Sequence, residues 1–360
     1  MPLDIADFLI VLAGAFGDGL ADPELLGKDA GREGYWKRLT GFLQRTRVEI
    51  EEISFEAGEG VSVGVKAALK SDPSFKRKVQ KALEGHIGAL AADVHAYFAE
   101  CVIELKRRHG PAVDVVLLVD SLERLRGTST NADDVHRSAE ELFGNHADRL
   151  HLPDLHVVYT VPPYLKVRVP NLGTLYTPGG LHMLPAVKVR NRDGQPFRPG
   201  LDALERVVAA RGEWRRLLGE REALDRIALL SGGHLRDLLR LLAEVLRRAQ
   251  QVPVDARTIE AALHQVRNEF LPIADADAAW LSRVASTHRA SLADAARLPD
   301  LARFFDTHLV LGYRNGEEWY DVHPLVADEV TRQAAAIADS ADAEAPETNP
   351  DGGSAASEGG

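Results

Sequence analysis

The sequence has very little cysteine: Cys101 is the only one among 360 residues. A chain with a single cysteine cannot form an intrachain disulfide, and it cannot build a zinc site from several thiolates. No apolar run reaches the ~18 residues of a transmembrane helix, and the N-terminus lacks the basic and apolar regions of a signal peptide. We therefore expect a protein of a reducing, cytoplasmic setting that does not enter the membrane.

Positive charge is also in deficit. The 43 lysines and arginines face 54 aspartates and glutamates, which leaves a net charge of −11. This balance argues against a protein that coats nucleic acid or an anionic membrane, although a local basic face is compatible with it. Hydrophobic residues make up 45% of the chain and charged residues 27%, as in ordinary globular proteins, and the length suits two or three domains.

The middle of the chain has the pattern of an α/β fold. Between residues 113 and 190, the apolar segments VDVVLLVD, DLHVVYTVP and LHMLPAVKVR are typical of strands, and a helical stretch separates the first two. Strands that alternate with helices predict a parallel sheet covered on both faces. Ligands of such sheets bind outside the carboxyl ends of the strands. Asp120 follows the first strand and Thr160 follows the second.

Helical patterns flank this segment on both sides. The N-terminal part has apolar residues at helical spacing, a candidate hairpin around Gly58 and Gly60, and one long predicted helix from about residue 71 to Gly110. Residues beyond 200 are helical in pattern until a hairpin at Asn315-Gly316, a dipeptide that favours a tight turn. Helices followed by a hairpin indicate a winged helix.

These patterns divide the chain into four predicted parts. They are a core at residues 1–198 with a helical and hairpin insertion at about 30–110, a helical lid at 199–272, a winged-helix-like domain at 273–336, and an acidic tail at 337–360. The tail has no aromatic residue and is expected to be disordered, because it cannot bury enough apolar surface to offset its ordering entropy.

Two carboxylates follow the first strand. Asp120 comes directly after VVLLV, and Glu123 lies three residues further on. A rigid strand end can place one carboxylate against the water shell of Mg²⁺, while the second acid positions or deprotonates a water. The alternative is that Asp120 simply caps the helix that follows the strand.

The order of these motifs resembles that of P-loop ATPases of the STAND and AAA+ superfamily, and in particular a bacterial branch of STAND-like ATPases. VVLLVDSLERL is similar to their Walker B strand, LHVVYTVPPYL to the sensor-1 strand, and LSGGHLRDLLRLL to the sensor-2 segment of the lid. The resemblance implies that Asp120 holds Mg²⁺ through water and that Glu123 activates the attacking water. It further implies that Thr160 and Arg236 sense the γ-phosphate of ATP.

The chain departs from this family in one essential motif. The pattern G-x-x-x-x-G-K-[ST] is absent, and with it the backbone cradle and the lysine that hold the phosphates. Ser121 also replaces the acid that often follows the Walker B aspartate. The segment PLDIADFLIVL resembles the part of the family fold that follows the second strand, so we expect an incomplete sheet without its first strands. Three explanations of the missing strands are open: the true start of the protein lies upstream, another chain supplies the strands, or the N-terminal helices have repacked into a derivative that binds no nucleotide.

The resemblance implies an α/β, P-loop-NTPase-like core with a helical lid and a winged-helix-like domain. We expect a regulatory or assembly module in which ATP and Mg²⁺ control the angle between lid and core, with protein partners or self-assembly. ATP hydrolysis would require a P-loop supplied from elsewhere. One alternative is a non-enzymatic scaffold. Another is a DNA-binding regulator using Arg314 at the hairpin, which the nearby Glu317 and Glu318 disfavour.

Overall fold

The structure, a computed structural model, describes residues 4–27, 34–45, 72–122, 131–292 and 294–344. Its contacts divide the chain into two compact units, Met1–His182 and Met183–Gly360. Helices dominate both units, and the described strands form one parallel and one antiparallel pair. The predicted lid and the predicted winged-helix-like segment both fall within the second unit. None of the described helices has the combination of length and apolar character that a membrane crossing requires.

The first unit begins with a helix whose start is fixed by a side chain. The Asp4 carboxylate accepts hydrogen bonds from the backbone N–H groups of Ala6, at 2.9 Å, and Asp7, at 3.2 Å. The helices of this unit are α1 (Ile5–Leu20), α2 (Gly34–Arg45), α3 (Pro73–Leu83), α4 (Ile87–His109), α5 (Ala132–Glu140), α6 (Ala147–Leu150), α7 (Tyr164–Arg168) and α8 (Leu172–Leu175). α1 packs on α4, where the ring centroids of Phe16 and Phe98 lie 4.5 Å apart.

The long helix predicted from about residue 71 to Gly110 is in fact two helices. A 3-10 turn at Glu84–His86 separates α3 from α4. Gly85 lies in this turn, and glycine weakens a helix without changing the apolar spacing around it, so periodicity alone did not reveal the break. The predicted start is confirmed, because Asp72 accepts from the Ser74 N–H at 2.8 Å. The hairpin predicted around residues 58–60 lies outside the described residues.

The first two predicted strands form a parallel pair. β1 spans Val116–Val119 and β2 spans His156–Tyr159, and Val116 is level with His156 in the register. Between them the chain forms α5, a π-helical turn at Glu141–Asn145 and α6, so the crossover is helical as predicted. The coarse prediction of strands joined by helices is therefore confirmed, while the P-loop type of the fold stays a prediction.

In the described part of the chain one face of this pair is exposed, so the prediction of a sheet covered on both faces is wrong there. Val116, Leu118 and Val158 are each more than half exposed, whereas the residues between them in each strand are partly buried. This alternation is the signature of a sheet with one solvated face. An apolar run indicates that a strand can be buried, but it does not indicate whether another element packs on it.

The third predicted strand, residues 181–190, does not join the parallel pair. Its backbone instead bonds within the second unit, where the Ala186 N–H donates to the Gly312 carbonyl and the Val187 N–H to the Gly233 carbonyl, both at 3.0 Å. The segment is apolar because it is partly buried in that unit. Burial of a single extended segment requires the same apolar pattern as burial of a strand in a sheet. Within the described residues the parallel sheet has two strands.

The second unit is helical where the sequence predicts it. Its helices are α9 (Arg198–Ala209), α10 (Trp214–Leu218), α11 (Arg221–Leu230), α12 (Leu235–Arg248), α13 (Ala256–Asn268), α14 (Asp275–Thr287), α15 (Leu298–Asp306) and α16 (Pro324–Glu344). The apolar faces of α9 to α13 enclose a shared core that includes Trp214, Ile227 and Leu241. A helix buries such a face only against another element, so these helices stabilise one another.

The hairpin predicted at Asn315-Gly316 is confirmed. β3 (Val310–Asn315) and β4 (Glu317–Val322) are antiparallel, and Gly316 turns the chain between them with a φ of 93°, which favours glycine. Arg314, the residue proposed for DNA contact, lies directly opposite Glu318 in the register. A carboxylate at that position opposes the approach of a phosphate.

The predicted acidic tail starts at residue 337, whereas α16 continues to Glu344. The sequence AAAIADSADAE at the end of this helix is rich in alanine, the strongest helix former. Low apolar content predicts that a segment stays out of the core, but it does not predict that the segment leaves a helix. Residues 345–360 lie outside the described part of the chain.

The first unit contains a buried histidine, from which we predict that the folded state loses stability in acid. His136 is buried, neither of its ring nitrogens has a hydrogen-bond partner in the described structure, and its ring centroid lies 4.1 Å from that of Tyr164. Burial, and secondarily the charge of Arg168, lowers the pKa of His136 below its usual value. The unfolded chain therefore binds this proton more readily than the folded chain.

Stability from this group is present above the unfolded pKa of about 6.5 and is lost as the pH falls below it. We expect His136→Phe, which keeps an aromatic ring against Tyr164, to reduce the fall in the free energy of unfolding between pH 7 and 5. The limit is about 1.4 kcal/mol per pH unit for one proton. Urea unfolding at several pH values measures it, with the exposed His156→Gln as control. An unchanged pH slope in His136→Phe would contradict this account.

Candidate functional site

The predicted site residues Asp120 and Thr160 lie side by side. Val119 and Tyr159 end the two parallel strands at the same level, so the residue that follows each strand emerges at the same edge. The Thr160 hydroxyl lies 3.2 Å from Oδ1 of Asp120 and donates to it, and the Thr160 N–H donates to the Val119 carbonyl at 3.0 Å. The sequence predicted both residues, and the structure brings them together.

The Asp120 carboxylate is open to solvent. Its Oδ1 also accepts from the Ser121 N–H at 2.7 Å, and Ser121 has a φ of 70°, in the left-handed region that non-glycine residues rarely adopt. The alternative role of Asp120, as the cap of a helix that follows the strand, stays a prediction, because residues 123–130 lie outside the described part of the chain. An exposed carboxylate held in place by two donors can meet a hydrated cation through water.

The other two predicted site residues are Glu123 and Arg236. Glu123, the predicted catalytic acid, lies outside the described residues, so its position is not tested. Arg236 is exposed on the first turn of α12 and belongs to the second unit, whereas Asp120 and Thr160 belong to the first. The sequence motif around Arg236 was the most specific part of the resemblance, and its local structure explains which of its residues are buried.

The motif begins with a tight turn, Ser231-Gly232-Gly233, that lies in the interior of the second unit. Both glycines have positive φ, 59° and 76°. The Gly232 carbonyl accepts from the Tyr313 hydroxyl at 2.7 Å, and a Cβ on Gly233 would lie 1.7 Å from the Val187 carbonyl oxygen. The close approach of two backbones therefore requires glycine at Gly233, and this turn joins the start of α12 to the 186–188 segment and to β3.

The buried charge of the motif is Asp237, one position after Arg236. Its Oδ2 lies 2.6 Å from Nδ1 of His234, 3.6 Å from Nδ1 of His308 and 3.5 Å from Nε2 of His323. The carboxylate is almost fully buried, His323 is completely buried, and His234 and His308 are partly exposed. We call His234, Asp237, His308 and His323 the His-Asp cluster.

The electrostatics of the His-Asp cluster are dominated by the imidazoles. Burial alone would raise the pKa of the Asp237 carboxyl, but the hydrogen bond with His234 and the nearby imidazoles of His308 and His323 hold that pKa well below its usual range. Burial lowers the pKa of His323, against the opposing influence of Asp237. Asp237 is therefore a carboxylate at all ordinary pH values, and the cluster presents nitrogen and oxygen donors around one negative charge.

Sequence reasoning did not find this cluster. The spacing of His234 and Asp237 by three residues places both on one face of α12, and this was the one local signal available. His308 precedes β3 and His323 precedes α16, so their approach depends on the fold of the hairpin. His323 lies at the corner between β4, which ends at Val322, and α16, which begins at Pro324.

Comparisons with known proteins give no match for this chain among protein-family models, curated proteins or solved structures.

The need for glycine in the Ser231-Gly232-Gly233 turn can be tested by substitution. We expect Gly233→Ala to lower the free energy of unfolding by more than the roughly 1–2 kcal/mol that a left-handed alanine costs, because the new methyl group also meets the Val187 carbonyl. The matched control is Gly194→Ala, where φ is +81° and no atom lies within 4 Å of the new Cβ. Urea unfolding followed by tryptophan fluorescence measures both. Equal losses in the two variants would show that packing at Gly233 is not critical.

Proposed function

We propose that this protein is a nucleotide-responsive regulatory or assembly module of the STAND and AAA+ kind. The observation that carries the proposal is the 3.2 Å contact between the Thr160 hydroxyl and the Asp120 carboxylate, at the carboxyl ends of neighbouring parallel strands. A Walker B strand beside a sensor-1 strand would present these two side chains together. Ligands of parallel sheets bind at this edge.

The chemistry of the pair suits Mg²⁺. This ion keeps several of its waters and is typically bound through one or two carboxylates together with substrate phosphates. Asp120 offers an exposed carboxylate whose Oδ1 is fixed by Thr160 and the Ser121 N–H. In the proposed role Asp120 binds the cation through water, and the Thr160 hydroxyl senses the terminal phosphate. When bound, Mg²⁺ would neutralise charge on the phosphates of ATP.

The phosphate-binding part of such a site is only partly represented in this chain. Without G-x-x-x-x-G-K there is no P-loop lysine to neutralise the phosphates. We therefore propose binding and regulation, and not hydrolysis by this chain alone. Arg236, exposed at the start of α12, is the proposed phosphate sensor of the lid, and Glu123 the proposed activator of water if a P-loop is supplied by a partner.

Calorimetry with Mg-ATP tests the nucleotide site. We expect the purified chain to bind Mg-ATP, and Asp120→Ala to weaken binding at least tenfold, about 1.4 kcal/mol, because the cation loses its carboxylate. The control is Asp114→Ala, which removes an exposed aspartate at the opposite end of β1 and should leave binding unchanged. Absence of binding by the folded parent, or equal affinities of the two variants, would rule out the nucleotide site.

A second candidate function, a non-enzymatic scaffold, is favoured by a different observation. Leu118 is 69% exposed, and Val116 and Val158 on the same face of the β1–β2 pair are also more than half exposed. Contiguous apolar surface on a sheet marks an interaction site. We propose that the same face of a second copy of the chain covers it, since one apolar patch on both copies can pack on itself in a twofold arrangement.

Sedimentation velocity over a range of concentrations tests the scaffold. We expect the parent to dimerise and Leu118→Lys to weaken the dimer at least tenfold, because a lysine at the centre of the face must lose its hydration on association. The matched control is Val11→Lys, at a similarly exposed apolar position on α1. A parent that stays monomeric, or two variants that dimerise equally, would exclude self-association through this face.

A further inference from the structure

The His-Asp cluster contains three side chains with the reach of metal ligands. One donor atom from each of His234, Asp237 and His308 can be chosen so that all three lie within 4.8 Å of one another. We propose that these three residues bind a divalent transition metal ion, with Zn²⁺ as the best fit. This inference is independent of the nucleotide site, because it uses none of the same residues.

The separation between His308 and Asp237 is closer to that of two ligands of one ion than to a hydrogen bond. Metal–ligand bonds of about 2.0–2.1 Å in a tetrahedral site put neighbouring ligand atoms about 3.3 Å apart. Nδ1 of His308 lies 3.6 Å from Oδ2 of Asp237, which is long for a hydrogen bond but close to that separation. Nδ1 of His234 is nearer, at 2.6 Å, and its ring must withdraw slightly to admit an ion.

His323 supplies a second, separate observation. It is completely buried, and its Nδ1 accepts from the Leu325 N–H at 3.3 Å. The proton of the neutral ring is therefore on Nε2, which has no other hydrogen-bond partner in the described structure and lies 3.5 Å from the Asp237 carboxylate. This ring orients the carboxylate from behind, as outer-shell groups do in metal sites. It is a positioning residue and not a ligand.

Donor type and exposure identify the class of ion. Two imidazoles and one carboxylate suit zinc and similar transition metals, whereas Mg²⁺ and Ca²⁺ prefer oxygen donors. The side chains of His234 and His308 are 25% and 19% exposed, so the site opens to solvent on their side. Three protein ligands with a water at the fourth position is the arrangement of an open zinc site.

The positively charged side chain of Arg240 lies near the proposed metal site and affects its net charge. The Arg240 guanidinium is 4.0 Å from Oδ1 of Asp237 and also pairs with Glu269. Glu269 pairs with Arg240 and offsets its positive charge, so the carboxylate of Asp237 is still available to a bound ion.

The proposed ligands come from the start of α12 and from the connection between α15 and β3. A bound ion would therefore link α12 to the start of β3.

Titration of the full chain with Zn²⁺ after chelator treatment tests the proposal. We expect one ion to bind per chain and thermal unfolding to shift upward, since a ligand of the folded state stabilises it. His234→Gln and His308→Gln should each weaken binding at least tenfold, the lower limit seen when even outer-shell groups are removed. The control is His264→Gln, which removes an exposed histidine from α13 of the same unit.

Co²⁺ gives a measurement on the parent that does not depend on how the variants fold. Binding at the cluster should produce the visible absorption of a four-coordinate cobalt centre, and Zn²⁺ should displace it. Affinity that is lost equally in His264→Gln, or retained in both ligand variants, would assign binding to surface histidines and overturn the proposal. Absence of Zn²⁺ binding by the folded parent would also overturn it.

Discussion

The second unit depends on the polar partners of one buried carboxylate, Asp237. Removing a charged carboxylate from water costs several kcal/mol unless partners compensate it. The partners of Asp237 come from three places along the chain: His234 at the start of α12, His308 before β3 and His323 before α16. These three elements must therefore meet for the charge to be tolerated. The glycine turn is part of the same constraint, because Gly232 and Gly233 bring the Tyr313 hydroxyl and the 186–188 backbone to the start of α12.

The sequence was informative wherever a local rule decides the structure. Asn315-Gly316 specified a hairpin, Asp72 a helix start, and the amphipathic spacing of residues 200–272 a set of helices. The contact between Asp120 and Thr160 was also within reach, because parallel neighbouring strands bring their carboxyl ends to one edge. In each case the information lies in a few adjacent residues or in a rule of sheet geometry.

The errors have a common cause. The segment at 181–190 has the composition of a strand, yet its N–H groups bond to Gly233 and Gly312 outside any parallel sheet. Leucine is a residue type typical of protein cores, yet Leu118 is 69% exposed. His308 and His323 carried no signal that they would meet Asp237. Apolar pattern and residue type state what a side chain tolerates, whereas burial and contact depend on distant segments that one sequence does not identify.

The two aspartates at the centre of the proposals are suited to different ions for the same physical reason. Asp120 is exposed, so it keeps its hydration and meets a cation that also keeps its waters, at a small electrostatic gain in a high dielectric. Tight binding there needs phosphates to add charge. Asp237 is buried among imidazole nitrogens, so an ion bound there must shed most of its water and accept nitrogen ligands. Burial thus distinguishes the proposed hydrated magnesium site from the proposed transition-metal site, and the two proposed sites need not compete for the same ion.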